Sequence, residues 1–462
     1  MRATLFLRTF ALLLASDGLD DALAAAGPVR VSDDRRHLAR ADGTPFFWLG
    51  DTAWELFHRL TVEEADRYLR NRAEKGFTVI QCVLLAELDG LRTPNANGDV
   101  PLHDLDPAQP NEAYFAHVDR VVARANELGL TLALLPTWGD KFNLQSWGVG
   151  PLVFTPDNAR IYGEWVGRRY AKADVVWVLG GDRRPDEPED FAIIEAMATG
   201  VRAAVGRTQL ITYHPAGGSS SSRWWHEHAW LDFNLFQSGH SAADNLNFQV
   251  TLADRARVPV KPVIDGEPNY EDHPIAWKPV ELGWFTDFEV RRAAWWSMLS
   301  GAAGHTYGHH AVWQMWQAGR EPVGHVRTPW QEALDYPGAF QMGVMRRVLD
   351  NLPWATLEPR HEIVAPDERP PEASILAAAA PAPADAGVAC VIAYSPYGYA
   401  FTLDLSGFGD RGASARWVDP RTGHAISLAS PPREAAARGA VAFDPPQSPA
   451  RGNDWVLVIT SP

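Results

Sequence analysis

Phe46-Phe47-Trp48-Leu49-Gly50-Asp51-Thr52-Ala53-Trp54 is the stretch on which the fold turns. Phe46–Gly50 is apolar without polar alternation, the pattern of a strand covered on both faces. It does not run into a glycine-rich phosphate loop, as the first strand of an open doubly wound sheet would. It runs into Asp51 and Trp54 instead. Seven further apolar runs of strand length follow, at Thr78–Leu85, Leu130–Trp138, Val175–Leu179, Gln209–Tyr213, Phe233–Gln237, Val263–Gly266 and Gly304–Tyr307. Amphipathic segments of helical period lie between them: Val62–Lys75, Asn111–Leu128, Pro156–Ala171, Pro188–Val205, Asp287–Leu299 and Trp330–Leu349. Thr61 with Glu64 three residues on is a capping-box start. Strands alternating with helices imply parallel βα units, and eight of them predict a (β/α)8 TIM barrel, in the α/β class.

Composition shifts after Trp354. Ala365–Gly387 is rich in Ala, Pro and acidic residues, and Ala377–Ala384 reads as a low-complexity loop. Short alternating segments follow at Val388–Tyr394, Ala400–Leu405, Ala415–Val418, Val441–Phe443 and Trp455–Thr460. They predict a small all-β sandwich domain. At the other end, Arg2 and Arg8 precede the apolar run Phe10–Ala15, and Ala24-Ala25-Ala26 precedes Gly27. This reads as a secretory signal peptide, despite Asp17, Asp20 and Asp21 between run and cut site. The expected division is 1–26 signal peptide, 27–354 barrel and 355–462 sandwich, with a periplasmic or extracellular location.

The chain has 462 residues, with 42 basic and 57 acidic side chains and a formal charge of −15. That balance excludes a phosphate-backbone binder, which needs a basic face. No later run reaches the ~20 apolar residues of a membrane span. Two cysteines, Cys82 and Cys390, cannot frame a disulfide scaffold and show no zinc spacing. The 19 tryptophans are the unusual feature. An indole fills a core, and its flat face also suits a sugar ring.

A barrel of this kind keeps its chemistry at the C-terminal ends of the strands. The residues there are Asp51 and Trp54, Glu87 and Asp89, Trp138 with Asp140 and Lys141, Gly180-Gly181-Asp182-Arg183, His214, Ser238 to His240, Asp265 to Tyr270, and His305, Tyr307 and Trp313. Asp182 and Glu267 each follow a strand and a glycine, so each could stand over the mouth. Cleaving a glycosidic bond needs a proton donor and a second carboxylate across the sugar, which this pair could supply. Asp265, two residues from Glu267, competes for its place. Asp51 reads equally as a ligand for sugar hydroxyls or as a cap. Trp138 and Trp313 are candidate sugar platforms, and most other indoles, such as Trp295 and Trp296, belong to the core. His305, His309 and His310, and separately His226 and His228 at strand spacing, raise a metal-dependent hydrolase as an alternative, although no HxH marks the first strand. Ser219–Ser222 reads as a flexible loop, since no Gly-x-Ser-x-Gly elbow is present.

Phe47–Trp54, Lys75-Gly76-Phe77-Thr78-Val79-Ile80-Gln81, Trp177–Arg183, Gly266-Glu267-Pro268 and Tyr307-Gly308 together resemble the apiosidase-like catalytic domains, the glycoside hydrolase family 140 type, over about Arg30–Trp354. Trp417–Gly423 resembles the small β-sandwich that commonly follows these barrels, a domain labelled collagen-binding. The resemblance implies a retaining glycosidase with Asp182 as acid/base and Glu267 as nucleophile. It also implies action on pectic oligo- or polysaccharide, releasing β-apiosyl-linked units of rhamnogalacturonan II. Asp51, Trp54, Trp138, His214, His240, Tyr270, Tyr307 and Trp313 are the expected substrate-binding residues. No metal or organic cofactor is expected. The expected partner is a carbohydrate, with no nucleic acid and no membrane insertion; protein partners are unknown. A carbohydrate-binding barrel without catalysis is the other alternative.

Overall fold

The structure is a computed structural model that describes residues 27–145, 147–381, 388–406, 413–428 and 439–461. The segment read as a signal peptide lies outside the described residues. The eight expected strands all form: β1 Trp48–Thr52, β2 Val79–Val83, β3 Thr131–Leu135, β4 Val175–Gly180, β5 Ile211–His214, β6 Asn234–Gln237, β7 Val263–Asp265 and β8 Gly304–Tyr307. Their order in the sheet, β5-β4-β3-β2-β1-β8-β7-β6, is that of a barrel opened at one seam. Every neighbouring pair is parallel, and β8 joins β1 with Tyr307 opposite Asp51. The two-residue strand Ser219–Ser220 adds a ninth, antiparallel to β6. At the seam, Asp232 N–H donates to Ile211 O at 2.9 Å, and the Thr212 hydroxyl donates to Phe233 O at 2.7 Å. The barrel is therefore nearly closed.

The alternation of a strand explains the packing. In β2, Val79 and Val83 point inward with Trp48, Ala133, Leu135, Val176, Val178 and Ile264. Ile80 and Cys82 point outward against the helices. These helices are α1 Val62–Lys75, α2 Glu112–Glu127, α3 Pro156–Arg169, α4 Pro188–Val205, α5 Asn247–Arg255, α6 Asp287–Leu299 and α7 Pro337–Asp350. The Thr61–Glu64 capping box is present, and α1 ends on Gly76 in the left-handed region. The expected single helix over Trp330–Leu349 is two, Trp330–Ala333 and α7. Pro337 lacks an N–H and disfavours helix in the residue before it, so it can only start the second. Helix α5 was not marked by any clear period. Among the described residues, no helix is long and apolar enough to cross a membrane.

Among the described residues, the C-terminal part is a six-stranded antiparallel sheet facing a two-stranded one. Its strands are β9 Glu358–Pro359, β10 Leu376–Pro381, β11 Val388–Ser395, β12 Phe401–Asp404, β13 Ser414–Val418, β14 Ala425–Ser427, β15 Ala440–Phe443 and β16 Trp455–Thr460. The larger sheet runs β9-β10-β11-β16-β13-β14, and β12 pairs with β15. The loop expected over Ala377–Ala384 is corrected: Ala377–Pro381 belong to β10, and 382–384 lie outside the described residues. Leu376, Ala378 and Ala380 face the barrel beside Trp295, Met342 and Met345. Ala377 and Ala379 face the smaller sheet beside Phe401 and Leu403. A strand covered on both faces loses its polar alternation, which is why a run of alanines looked structureless.

Candidate active site

Strands β4 and β7 stand on opposite sides of an eight-stranded barrel, and their ends present Asp182 and Glu267 to one cavity of about 590 Å3. Two glycines make the first presentation possible. Gly180, Gly181 and Asp182 all have positive φ, 92°, 107° and 53°. A Cβ on Gly180 would lie 2.6 Å from His214 O, and one on Gly181 would lie 2.7 Å from Gly139 N. Asp182 itself carries the local strain of a left-handed non-glycine residue, a cost that concentrates at functional sites. The second presentation is held from several directions. Gly266 N–H donates to Phe236 O and Gly239 N–H to Glu267 O. Gln81 reaches across the barrel and donates from Nε2 to Gly266 O at 2.8 Å.

Two histidines bracket the Glu267 carboxylate. His240 Nε2 is hydrogen-bonded to Oε1 at 3.0 Å. His214 Nε2 stands 2.9 Å from Oε2, close but off the line of an aligned hydrogen bond. The Asp182 N–H donates to His214 Nδ1 at 3.1 Å. That bond makes Nδ1 the acceptor and leaves the ring proton on Nε2, facing Glu267. Burial alone would raise the Glu267 pKa. The contacts from His214 and His240 outweigh it and hold the carboxylate below its usual range. Asp182 moves the other way, raised by burial and then by the charge of Glu267. Two carboxyls in one cavity are thus pushed in opposite directions, Glu267 toward the charged form and Asp182 toward holding its proton to higher pH, as acid/base pairs require.

Glu87 shares the cavity. Its carboxyl is pushed well above the usual range by burial, then by Glu55, Asp140, Asp182 and Glu267.

Of the expected substrate-binding residues, Trp54, Trp138, His240, Tyr270 and Trp313 line the cavity. His214 lies behind the wall and acts on Glu267 instead. Asp51 is corrected: it does not line the cavity, and Oδ2 accepts from Arg72 Nε and from the Tyr68 hydroxyl, each at 2.6 Å. Asp51 and Arg72 are wholly buried. A guanidinium keeps its proton, so Asp51 is its counter-charge. Tyr307 is corrected likewise, since it is buried and donates to Glu271 Oε2 at 2.6 Å. Asp265 does not compete with Glu267, because Ser238 and Asn247 bind its carboxylate behind the strand end. Trp138 and Trp313 form walls rather than open platforms, being 4% and 6% exposed.

The histidine groups are not gathered. His226 contacts Asn234 and His228 contacts Glu195, and His226 follows a short helix, Ser222–Trp225, rather than lying on a strand. His305 contacts Ser297, and His309 caps a helical turn. No three ligating side chains are grouped for a metal among the described residues. Ser219–Ser222 is not a loose loop, because Ser220 and Ser222 both donate to Asp254. Sequence reasoning missed Trp147 and Trp277, which line the cavity from loops well past the ends of β3 and β7. They are 45% and 49% exposed. Their only signal was the excess of tryptophan.

Residues 32–356 match the family model described as "Apiosidase-like, catalytic domain". Residues 359–460 match "Putative collagen-binding domain of a collagenase". A solved structure titled glycoside hydrolase is 28% identical, with 95% of this chain and 97% of that chain covered and a TM-score of 0.85. A glycoside hydrolase family 5 structure from Bacteroides vulgatus is 27% identical, with 95% and 94% covered and a TM-score of 0.84. A family 39 glycoside hydrolase from Bacteroides cellulosilyticus shares the fold at 11% identity, with 90% and 81% covered and a TM-score of 0.51. No curated protein matches. With the matched domain spanning most of the chain, and two carboxyls shifted in opposite directions in its barrel mouth, the chain belongs to the apiosidase-like family and is a glycoside hydrolase.

Proposed function

We propose that the enzyme is a retaining glycoside hydrolase of pectic polysaccharide that releases β-apiosyl-linked units. The observation that carries the mechanism is the pairing of a charged Glu267, bracketed by His214 and His240, with a raised Asp182 in one cavity. Glu267 attacks the anomeric carbon while Asp182 gives its proton to the departing oxygen. The glycosyl–Glu267 ester then meets a water that Asp182 deprotonates. The water oxygen bonds to the anomeric carbon, the ester opens, and the sugar leaves with its original configuration. The low Glu267 pKa suits a nucleophile and the raised Asp182 pKa suits an acid. The pectic substrate rests on family membership, and the fold itself hosts many specificities. A periplasmic or extracellular setting, supported by the apolar run that follows Arg2 and Arg8 and precedes Gly27, would bring the enzyme to a polymer.

The test is hydrolysis of rhamnogalacturonan II, other pectins and an aryl-glycoside panel in the presence of chelator. The anomer formed first is read by proton NMR. Retention, with collapse of activity in Glu267→Ala and Asp182→Ala, is expected. Inversion would overturn the nucleophile role of Glu267, and loss of activity in chelator would overturn the metal-free mechanism.

A further inference from the structure

Trp147 and Trp277 are open indoles in a cavity whose others, Trp54, Trp138 and Trp313, are nearly buried, and of the two open ones it is Trp147 that shares a cation with Asp182. It is also held in place. Its ring lies over the Arg183 guanidinium at 4.9 Å. Arg183 is wholly buried, and donates from Nε to Asn143 O at 2.7 Å and from Nη1 to Asp182 O at 2.8 Å. One cation therefore ties the Trp147 loop to the backbone of Asp182. The loop is fixed at both ends as well. Asn143 donates to Asp190 at 2.7 Å and Gln145 to Asp186 at 2.9 Å. Past the indole, Asp140 Oδ2 accepts from Val149 and Gly150 N–H at 3.1 and 3.0 Å. A large apolar face on a locked loop, open to water beside the cavity, loses its hydrophobic gain unless something covers it.

What covers it follows from its neighbour. Trp147 and Asp182 line the same cavity, and the Arg183 guanidinium under the indole lies 3.7 Å from the Asp182 carboxylate. On the mechanism proposed above, that carboxyl touches the oxygen of the departing group. The ring attached to that oxygen then falls over the indole. We infer that Trp147 is the platform of the leaving-group subsite, stacking against the C–H face of a pyranose ring. This rests on the glycosidase reading and extends it: the bond cut joins two sugars.

The experiment uses two substrates, the polysaccharide on which the enzyme is active and the glycosyl fluoride of the unit it releases. Fluoride leaves without a ring to stack. Trp147→Ala is expected to lower kcat/KM on the polysaccharide by roughly tenfold or more, and to lower it far less on the fluoride. Trp147→Phe, which keeps a flat apolar face, recovers most of the loss. Equal losses on both substrates would overturn the subsite, and so would a displaced alkaline limb of the pH profile in Trp147→Ala, which would make Trp147 a support of Asp182 instead. An undiminished rate on the polysaccharide would overturn it too. Failure of the unaltered enzyme on every carbohydrate offered defeats the hydrolase mechanism first, before any variant is made, and the subsite with it.

Discussion

Asp51 at the end of β1 and Glu267 just past β7 carry the same signature, an acid at the C-terminal end of a fully buried strand, and they have opposite fates. Asp51 meets Arg72, a permanent cation, and both side chains are sealed from water. Glu267 meets two histidines and opens onto the cavity. The Arg72 pair locks the end of β1 to helix α1. The histidine pair holds a carboxylate in the charged form while leaving it at the cavity, whereas Arg72 seals Asp51 away. The nature of the partner, rather than the position of the acid, separates support from chemistry.

The comparison breaks most sharply in the removal of each acid. Glu267→Ala is expected to lower kcat by roughly 10^4-fold or more with the thermal midpoint little changed, and Asp182→Ala by roughly 10^2- to 10^4-fold. Asp51→Ala should do the reverse. It leaves Arg72 charged and buried without its partner, so the fold loses about 3–5 kcal/mol. Denaturant unfolding would read that loss, and a midpoint unmoved by Asp51→Ala would reduce the ion pair to ornament.

The pH profile sharpens the contrast. On the proposed mechanism, activity requires Glu267 charged and Asp182 protonated. Rising pH removes the Asp182 proton through a pKa raised by burial and by Glu267, and falling pH neutralises Glu267 below the ordinary carboxylate range. The bell for kcat/KM should therefore lie on the acid side of neutral and be broad toward low pH. His240→Phe takes away one donor to Glu267 and should move the acid limb up by about one pH unit. In Glu267→Gln, the Asp182 carboxyl should titrate lower, because one of the two causes of its elevation is gone. A carbon-13 titration that leaves Asp182 unmoved would mean the two carboxyls do not sense each other.

The smallest effect concerns the second open indole. Trp277 follows Ala276, and both are held at positive φ, 52° and 63°, with Ala276 N–H bonded to His240 O. Trp277→Ala should raise KM on the polysaccharide a few-fold and leave kcat nearly intact. A fall in kcat instead would show that this loop works through His240 on Glu267.

The eight strands were legible because burial on both faces leaves a continuous apolar run, and a run such as Val175–Leu179 has no competing reading. The acids at their ends were legible as candidates only. Arg72 reaches Asp51 from 21 residues further along the chain, and no local pattern announces that pairing. Trp147 and Trp277 were illegible for the opposite reason: they sit far into loops, where neither period nor strand-end position marks a residue. Strand β10 was hidden because alanines that pack two layers at once look like filler.

That doubly covered sheet makes the two halves of the molecule one folding unit. Its barrel side shares a core with helices α6 and α7, and Arg291 of α6 grips Asp454 with two hydrogen bonds of 2.8 and 2.6 Å. A chain cut after Trp354 would keep every residue of the cavity yet expose Trp295, Met342 and Met345. Such a fragment would be an aggregation-prone stump rather than a minimal enzyme, and the intact chain should melt as a single cooperative body.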